Sequence, residues 1–110
     1  MEEQIEKEPL FEFYIAGVQH HQLKTCISEV EVGNCLNLIL EPSNKYDPNA
    51  VRIELYSLKQ DKDIMLGFVP MKFSASVSAL MTIQDLFCVV VELNLDEKPW
   101  RQIKVAIEEI

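Results

Sequence analysis

"EPSNKYDPNAV", residues 41–51, lies between two segments in which apolar and polar residues alternate. Leu36, Leu38 and Leu40 precede it, after the turn Gly33-Asn34. Val51, Ile53 and Leu55 follow it, alternating with Arg52, Glu54 and Tyr56. A period of two marks a strand with one buried face, so the stretch connects two strands. A plain hairpin needs only about two to five loop residues. This connection is longer and carries its own bracing. Pro42 and Pro48 stiffen it, and Asn44, Asp47 and Asn49 can bond neighbouring backbone N–H groups as Asx turns. Bracing leaves Tyr46 unexplained, because a turn has no need of a large aromatic ring beside a carboxylate.

The alternation extends through most of the chain. Phe11, Phe13 and Ile15 alternate with Glu12 and Tyr14, and a further strand is expected over Leu23 to Ser28. A short strand over Ile64 to Val69 follows the polar turn at 57–63. Phe87 to Leu93 and Trp100 to Ile107 form a final pair joined by residues 94–99. After Pro70 the period changes. Phe73, Val77, Leu80 and Met81 recur at helical spacing, with serines and Lys72 on other faces, and proline suits a first helical turn. Short strands plus one such helix predict a mainly β domain, a small curled antiparallel sheet or partly open barrel that limits its exposed edges.

With 110 residues, 48% of them hydrophobic, the chain can bury one core but not two. The expected organisation is an acidic tail over 1–9 and one domain over 10–110. The net charge of −8 is concentrated at the ends. Glu2, Glu3, Glu6 and Glu8 against Lys7 place −3 in the tail, and Glu108 and Glu109 add −2, leaving −3 for the body. Phosphate contact needs a local basic surface, and a body this mildly acidic has room for one. No apolar run approaches membrane-spanning length and the N-terminus is acidic, so a cytoplasmic protein with no membrane partner is expected. Cys26, Cys35 and Cys88 are odd in number and have no CxxC spacing, which favours buried free thiols over disulfides or a zinc site.

Catalysis is not expected. His20 and His21, if on a strand, point to opposite faces and do not chelate one metal. The sequence has no HExxH, GxSxG, GxxxxGK[ST] or GxGxxG, and its three glycines make no phosphate-cradling loop. No cofactor or metal is implied. Tyr46 beside Asp47 suits another task. A phenol ring offers a stacking face for a base or sugar, and a carboxylate accepts a hydrogen bond from a hydroxyl while repelling phosphate. That combination favours a free strand end over an internal phosphodiester.

Four blocks in order resemble the HIRAN domain family: residues 13–18 (FYIAGV), 33–36 (GNCL), 40–51 (LEPSNKYDPNAV) and 66–70 (LGFVP). The third is the specific one. The resemblance implies an OB-like β-barrel with one or two short helices that, in the DNA-binding branch, captures the 3′ end of single-stranded DNA. Tyr46 and Asp47 match the positions that contact the terminal nucleotide and its hydroxyl. After Gly17-Val18 that branch carries a basic residue and then an aromatic one, where this chain has Gln19 and His20. Gln still donates a hydrogen bond but carries no charge, and neutral His stacks more weakly than Tyr. Asn44 shapes the loop. Lys45, Lys72 near the helix N-terminus and Trp100 beside Arg101 are secondary candidates; by default the lysines are solvated and Trp100 is core. The expected function is a non-catalytic module for 3′-hydroxyl ends in DNA repair or fork processing, with a helicase or nuclease acting in trans as a candidate partner. The alternative is a protein-interaction or regulatory module that keeps the barrel without the DNA site.

Overall fold

The alternating segments do form strands in the computed structural model, which describes residues 8–110. They are β1 (Phe11–Tyr14), β2 (Cys35–Leu40), β3 (Val51–Ser57), β4 (Lys62–Phe68), β5 (Leu86–Leu93) and β6 (Ile103–Glu109). Two α-helices accompany them, the single turn α1 (Leu23–Cys26) and α2 (Met71–Met81), with 3-10 turns at Val18–His20, Ile27–Glu29 and Pro99–Arg101. The strands form one antiparallel sheet in the order β1-β6-β5-β2-β3-β4. Strand β2 serves both halves. Cys35 and Leu36 pair with β5, whereas Asn37 to Leu40 pair with β3.

The sheet curls until its outer strands meet at one point. Ala16 and Phe68 exchange both backbone hydrogen bonds, each 2.9 Å, so the extension of β1 touches the end of β4. The result is an OB-like, partly open barrel. Gly67 permits that contact: a β-carbon there would collide with the Ala16 carbonyl oxygen and lie 2.7 Å from Ile15 Cγ2. The inward faces supply the core, including Ile15, Val51, Ile53, Ile64, Leu66, Val90, Ile103, Val105 and Ile107. Helix α2 contributes Val77 to it and lays Phe73 against Phe11 and Phe13, with ring centroids at 5.7 and 5.6 Å.

Three expectations need correction. The segment Leu23 to Ser28 is helical, because Leu23 and Cys26, three apart, are buried while Lys24, Thr25 and Ile27 face out. Trp100 does not begin a strand; it sits in the Pro99–Arg101 turn and is 56% exposed, so it is not a core residue. Cys35 is exposed, since β2 alternation turns it outward when Leu36 turns in; Cys26 and Cys88 are buried free thiols. Of the proposed tail, residues 1–7 lie outside the described residues. The domain begins with the Leu10 N–H bonded to the Ile107 carbonyl at 2.8 Å.

Candidate nucleic-acid interface

The 41–50 connection is built around Asn44. Its Oδ1 accepts the N–H groups of Tyr46 and Asp47 at 2.9 and 3.0 Å, and its Nδ2 donates to Glu41 Oε2 at 2.8 Å. Those three bonds satisfy most of the amide, which makes Asn44 a bracing residue rather than a free ligand. Asp47 makes the second brace. Its Oδ1 accepts the Asn49 N–H at 2.9 Å, and its Oδ2 accepts the hydroxyl of Ser74, a fully buried residue of α2, at 2.6 Å. Asn49 thus takes part through its N–H, and the Asx turns belong to Asn44 and Asp47. The ends close through the Glu41 N–H to the Ala50 carbonyl at 2.9 Å.

Held this way, Tyr46 projects into solvent and is 86% exposed. It borders a cleft of about 210 Å³ whose other walls are Ala16, Ala50, Phe68, Val69 and Met71, with Asn44 and Asp47 as the polar groups. The cleft therefore sits at the Ala16–Phe68 closure, against the start of α2. Pro70 precedes that helix and offers no side-chain cap, so first-turn N–H groups at Met71 and Lys72 are open toward an anion. Glu41, the carboxylate at the start of the loop, is engaged by Arg52 at 3.4 Å as well as by Asn44.

His21, which the sequence did not single out as a ligand, stands behind the Phe68 wall, its ring 5.5 Å from that of Phe68 in an edge-on arrangement. Burial, and then the neighbouring His20, hold its imidazole below the ordinary range, while Glu41 pulls the other way. The two histidines lie at a 3-10 turn and not on a strand, with His20 exposed and His21 half-buried. Their different burial, rather than opposite strand faces, separates them. Among the described residues no cluster of side chains is arranged to hold a metal ion.

The candidate residues thus fall into groups. Tyr46, Asp47 and Asn44 share the cleft. Gln19 and His20 are exposed on the turn that directly follows Ala16-Gly17, beside the cleft rather than in its lining. Lys45 is exposed next to Tyr46. Lys72 is exposed one residue beyond Met71, with its ammonium 5.0 Å over the Phe73 ring. Trp100 lies farther along, in the turn that packs against Val18–His20, with Lys98 5.5 Å over its ring. Phe68, Met71 and His21 were missed. Phe68 and Met71 flank Val69-Pro70 in a block whose apolar character signalled a strand entering a helix, and only the fold shows them lining a cleft.

Comparison with known proteins agrees with this architecture. A protein from Lactobacillus plantarum is similar in fold, with a TM-score of 0.73 at 20% identity over 90% of each chain. The HIRAN domain of human HLTF is also similar, with a TM-score of 0.57 at 12% identity, covering 90% of this chain and 75% of that one. No curated protein matches the chain in sequence. The HIRAN domain family model matches residues 9–108, which take in both helices and every strand but the last residue of β6, and the chain therefore belongs to the HIRAN domain family.

Proposed function

We propose that the domain is a non-catalytic nucleic-acid-binding module that takes the 3′-hydroxyl end of single-stranded DNA into the cleft beside Tyr46. Membership of a family of DNA-binding modules supports the nucleic acid as partner. The observation that carries the finer reading is the pairing of Tyr46, 86% exposed on a loop whose backbone is fixed by Asn44, with a carboxylate in the same cleft. A ring held open in this way pays little ordering cost on binding, and stacking of one base contributes about 1–3 kcal/mol.

Asp47 selects the end. A carboxylate offers about four acceptor positions, and two are used by Asn49 and Ser74, leaving room for a sugar hydroxyl. A terminal phosphate in the same place would meet like charge. The phosphate of the preceding linkage would find the uncapped start of α2 and Lys72 on one side and Gln19 and His20 on the other, with Lys45 and Trp100 as outer contacts. Each of these neutral or single-charge contacts is weak, so affinity should be modest. The proposed setting is cytoplasmic DNA repair or fork processing, with a helicase or nuclease acting in trans. Among the described residues no helix is long and apolar enough to cross a membrane.

The second reading, a protein-interaction module, draws on the same carboxylate. Asp47 already clips the loop to α2, a sufficient structural reason for its presence. Oligonucleotide anisotropy against salt separates the two. A DNA binder loses affinity steeply as salt rises and loses most of it in Tyr46→Ala; no binding at low salt favours the protein partner.

A further inference from the structure

At the far end of β2 two strands part company. The β2–β5 ladder has its last rung at Leu36 and Cys88, and beyond it β2 pairs only with β3. Backbone groups alternate in direction along a strand. The Glu41 N–H bonds Ala50 on the β3 side, so Ile39 and Asn37 face β3 as well, and Leu38 and Leu40 face the opposite way. By the same reasoning the Val90 N–H bonds Asn34, which turns Leu86 toward β2. The N–H and C=O groups of Leu38 and Leu40 therefore point into the gap, beyond the last rung of the β2–β5 ladder at Leu36 and Cys88.

The gap is roomy. A cleft of about 390 Å³ lies between the strands, lined in part by Leu38, Met81, Gln84, Asp85, Leu86 and Phe87. A second, of about 330 Å³, lies by Leu40 between Pro48 and the α2 side chains Ala75, Ser78 and Ala79, with Thr82 just past the helix end. Small residues on the helix leave space beside the strand edge for another backbone. Leu40 and Phe87, which line these clefts, are exposed. Asp85 is the one charged side chain lining either cleft.

We propose that this edge is a docking slot for an extended, apolar segment of a partner protein, which adds to β2 as a strand through Leu38 and Leu40. Free backbone donors and acceptors specify an extended peptide, since such addition is how an unpaired sheet edge is satisfied. Asp85 favours a Lys or Arg at the end of that segment. The chain's own first residues carry Glu2, Glu3 and Glu6 and would meet Asp85 with like charge. The larger cleft shares no lining residue with the Tyr46 cleft and the second shares Ala50 alone, so the slot does not depend on nucleic-acid binding.

Amide exchange on the labelled protein, alone and with the peptide KVTVTVK, tests this. In the free protein the Leu38 and Leu40 amides exchange at least about tenfold faster than those of Asn37 and Ile39, which are in the ladder. With peptide up to about 1 mM, the weak end of specific binding, they slow and their resonances shift. Ala79→Arg, on the exposed helix face, abolishes the effect by filling the slot. Leu40→Pro does so by removing a donor that no β3 bond uses. Protection of Leu38 and Leu40 without peptide overturns the proposal, because the edge is then already satisfied. Perturbation elsewhere, or none with folded protein, overturns it as well.

Discussion

Ser74 Oγ donates a 2.6 Å hydrogen bond to Asp47 Oδ2, joining a buried helical hydroxyl to a loop 27 residues earlier. That bond sets the height of the loop above the cleft and thus where Tyr46 stands. Ser74→Ala is expected to cost about 1–2 kcal/mol, the loss of one charge-assisted bond whose carboxylate can turn to water. Urea denaturation measures it. The same variant should weaken oligonucleotide binding severalfold with Tyr46 untouched, and unchanged stability would show that the clip is not formed.

Gly67 makes the barrel closure possible, and its replacement is expected to be more damaging. In Gly67→Ala the new methyl meets the Ala16 carbonyl oxygen, which is backbone and held by the Phe68 N–H at 2.9 Å. Relief requires breaking that closure. The expected loss is about 3 kcal/mol, the upper part of the overpacking range, read as a fall in the denaturation midpoint. A neutral substitution would mean that the strands close elsewhere.

His21 gives a pH dependence with a definite sign. Its folded-state pKa lies below the ordinary value, so the unfolded chain takes up the proton first. Its stability contribution is present above about pH 6.5 and lost as pH falls below it. A titration by NMR should give a His21 midpoint below that value. The stability difference between pH 7.5 and 5.5 should also shrink in His21→Phe. A midpoint above 6.5 would contradict the packing against Phe68.

The thiols should divide by burial. Burial, with a smaller effect of Cys35, pushes the Cys88 thiol up to about 12, and burial followed by Glu29 raises Cys26. Cys35 is exposed. With a disulfide-exchange reagent at pH 8 one thiol should react at once and two only on unfolding, because the thiolate is the reactive form. Cys35→Ser should remove the fast phase alone. Three fast thiols would contradict the buried positions.

Much of the barrel was legible because alternation is local. Leu36, Leu38 and Leu40, then Val51, Ile53 and Leu55, announce β2 and β3, and Pro70 announces α2. Leu23 to Ser28 was not, because a single helical turn is too short to display its period, and which of its residues are buried is known only from the fold. The loop's importance was visible in Tyr46, whose ring no turn requires. The role of Ser74 was not, since nothing in a serine on a helix reveals a carboxylate 27 residues away. The residue type of Trp100 favours the core by default, and only the Pro99 turn places it outside.

Asp47 is expected to distinguish a strand ending in hydroxyl from one ending in phosphate. Fluorescence anisotropy with 5′-labelled oligothymidines that differ only at the 3′ end measures this directly, at low salt to retain weak phosphate contacts. Tighter binding of the hydroxyl end by about tenfold is expected, equivalent to about 1.4 kcal/mol, together with loss of the preference in Asp47→Asn. Equal affinity for both ends, or a preference that survives Asp47→Asn in folded protein, would contradict it.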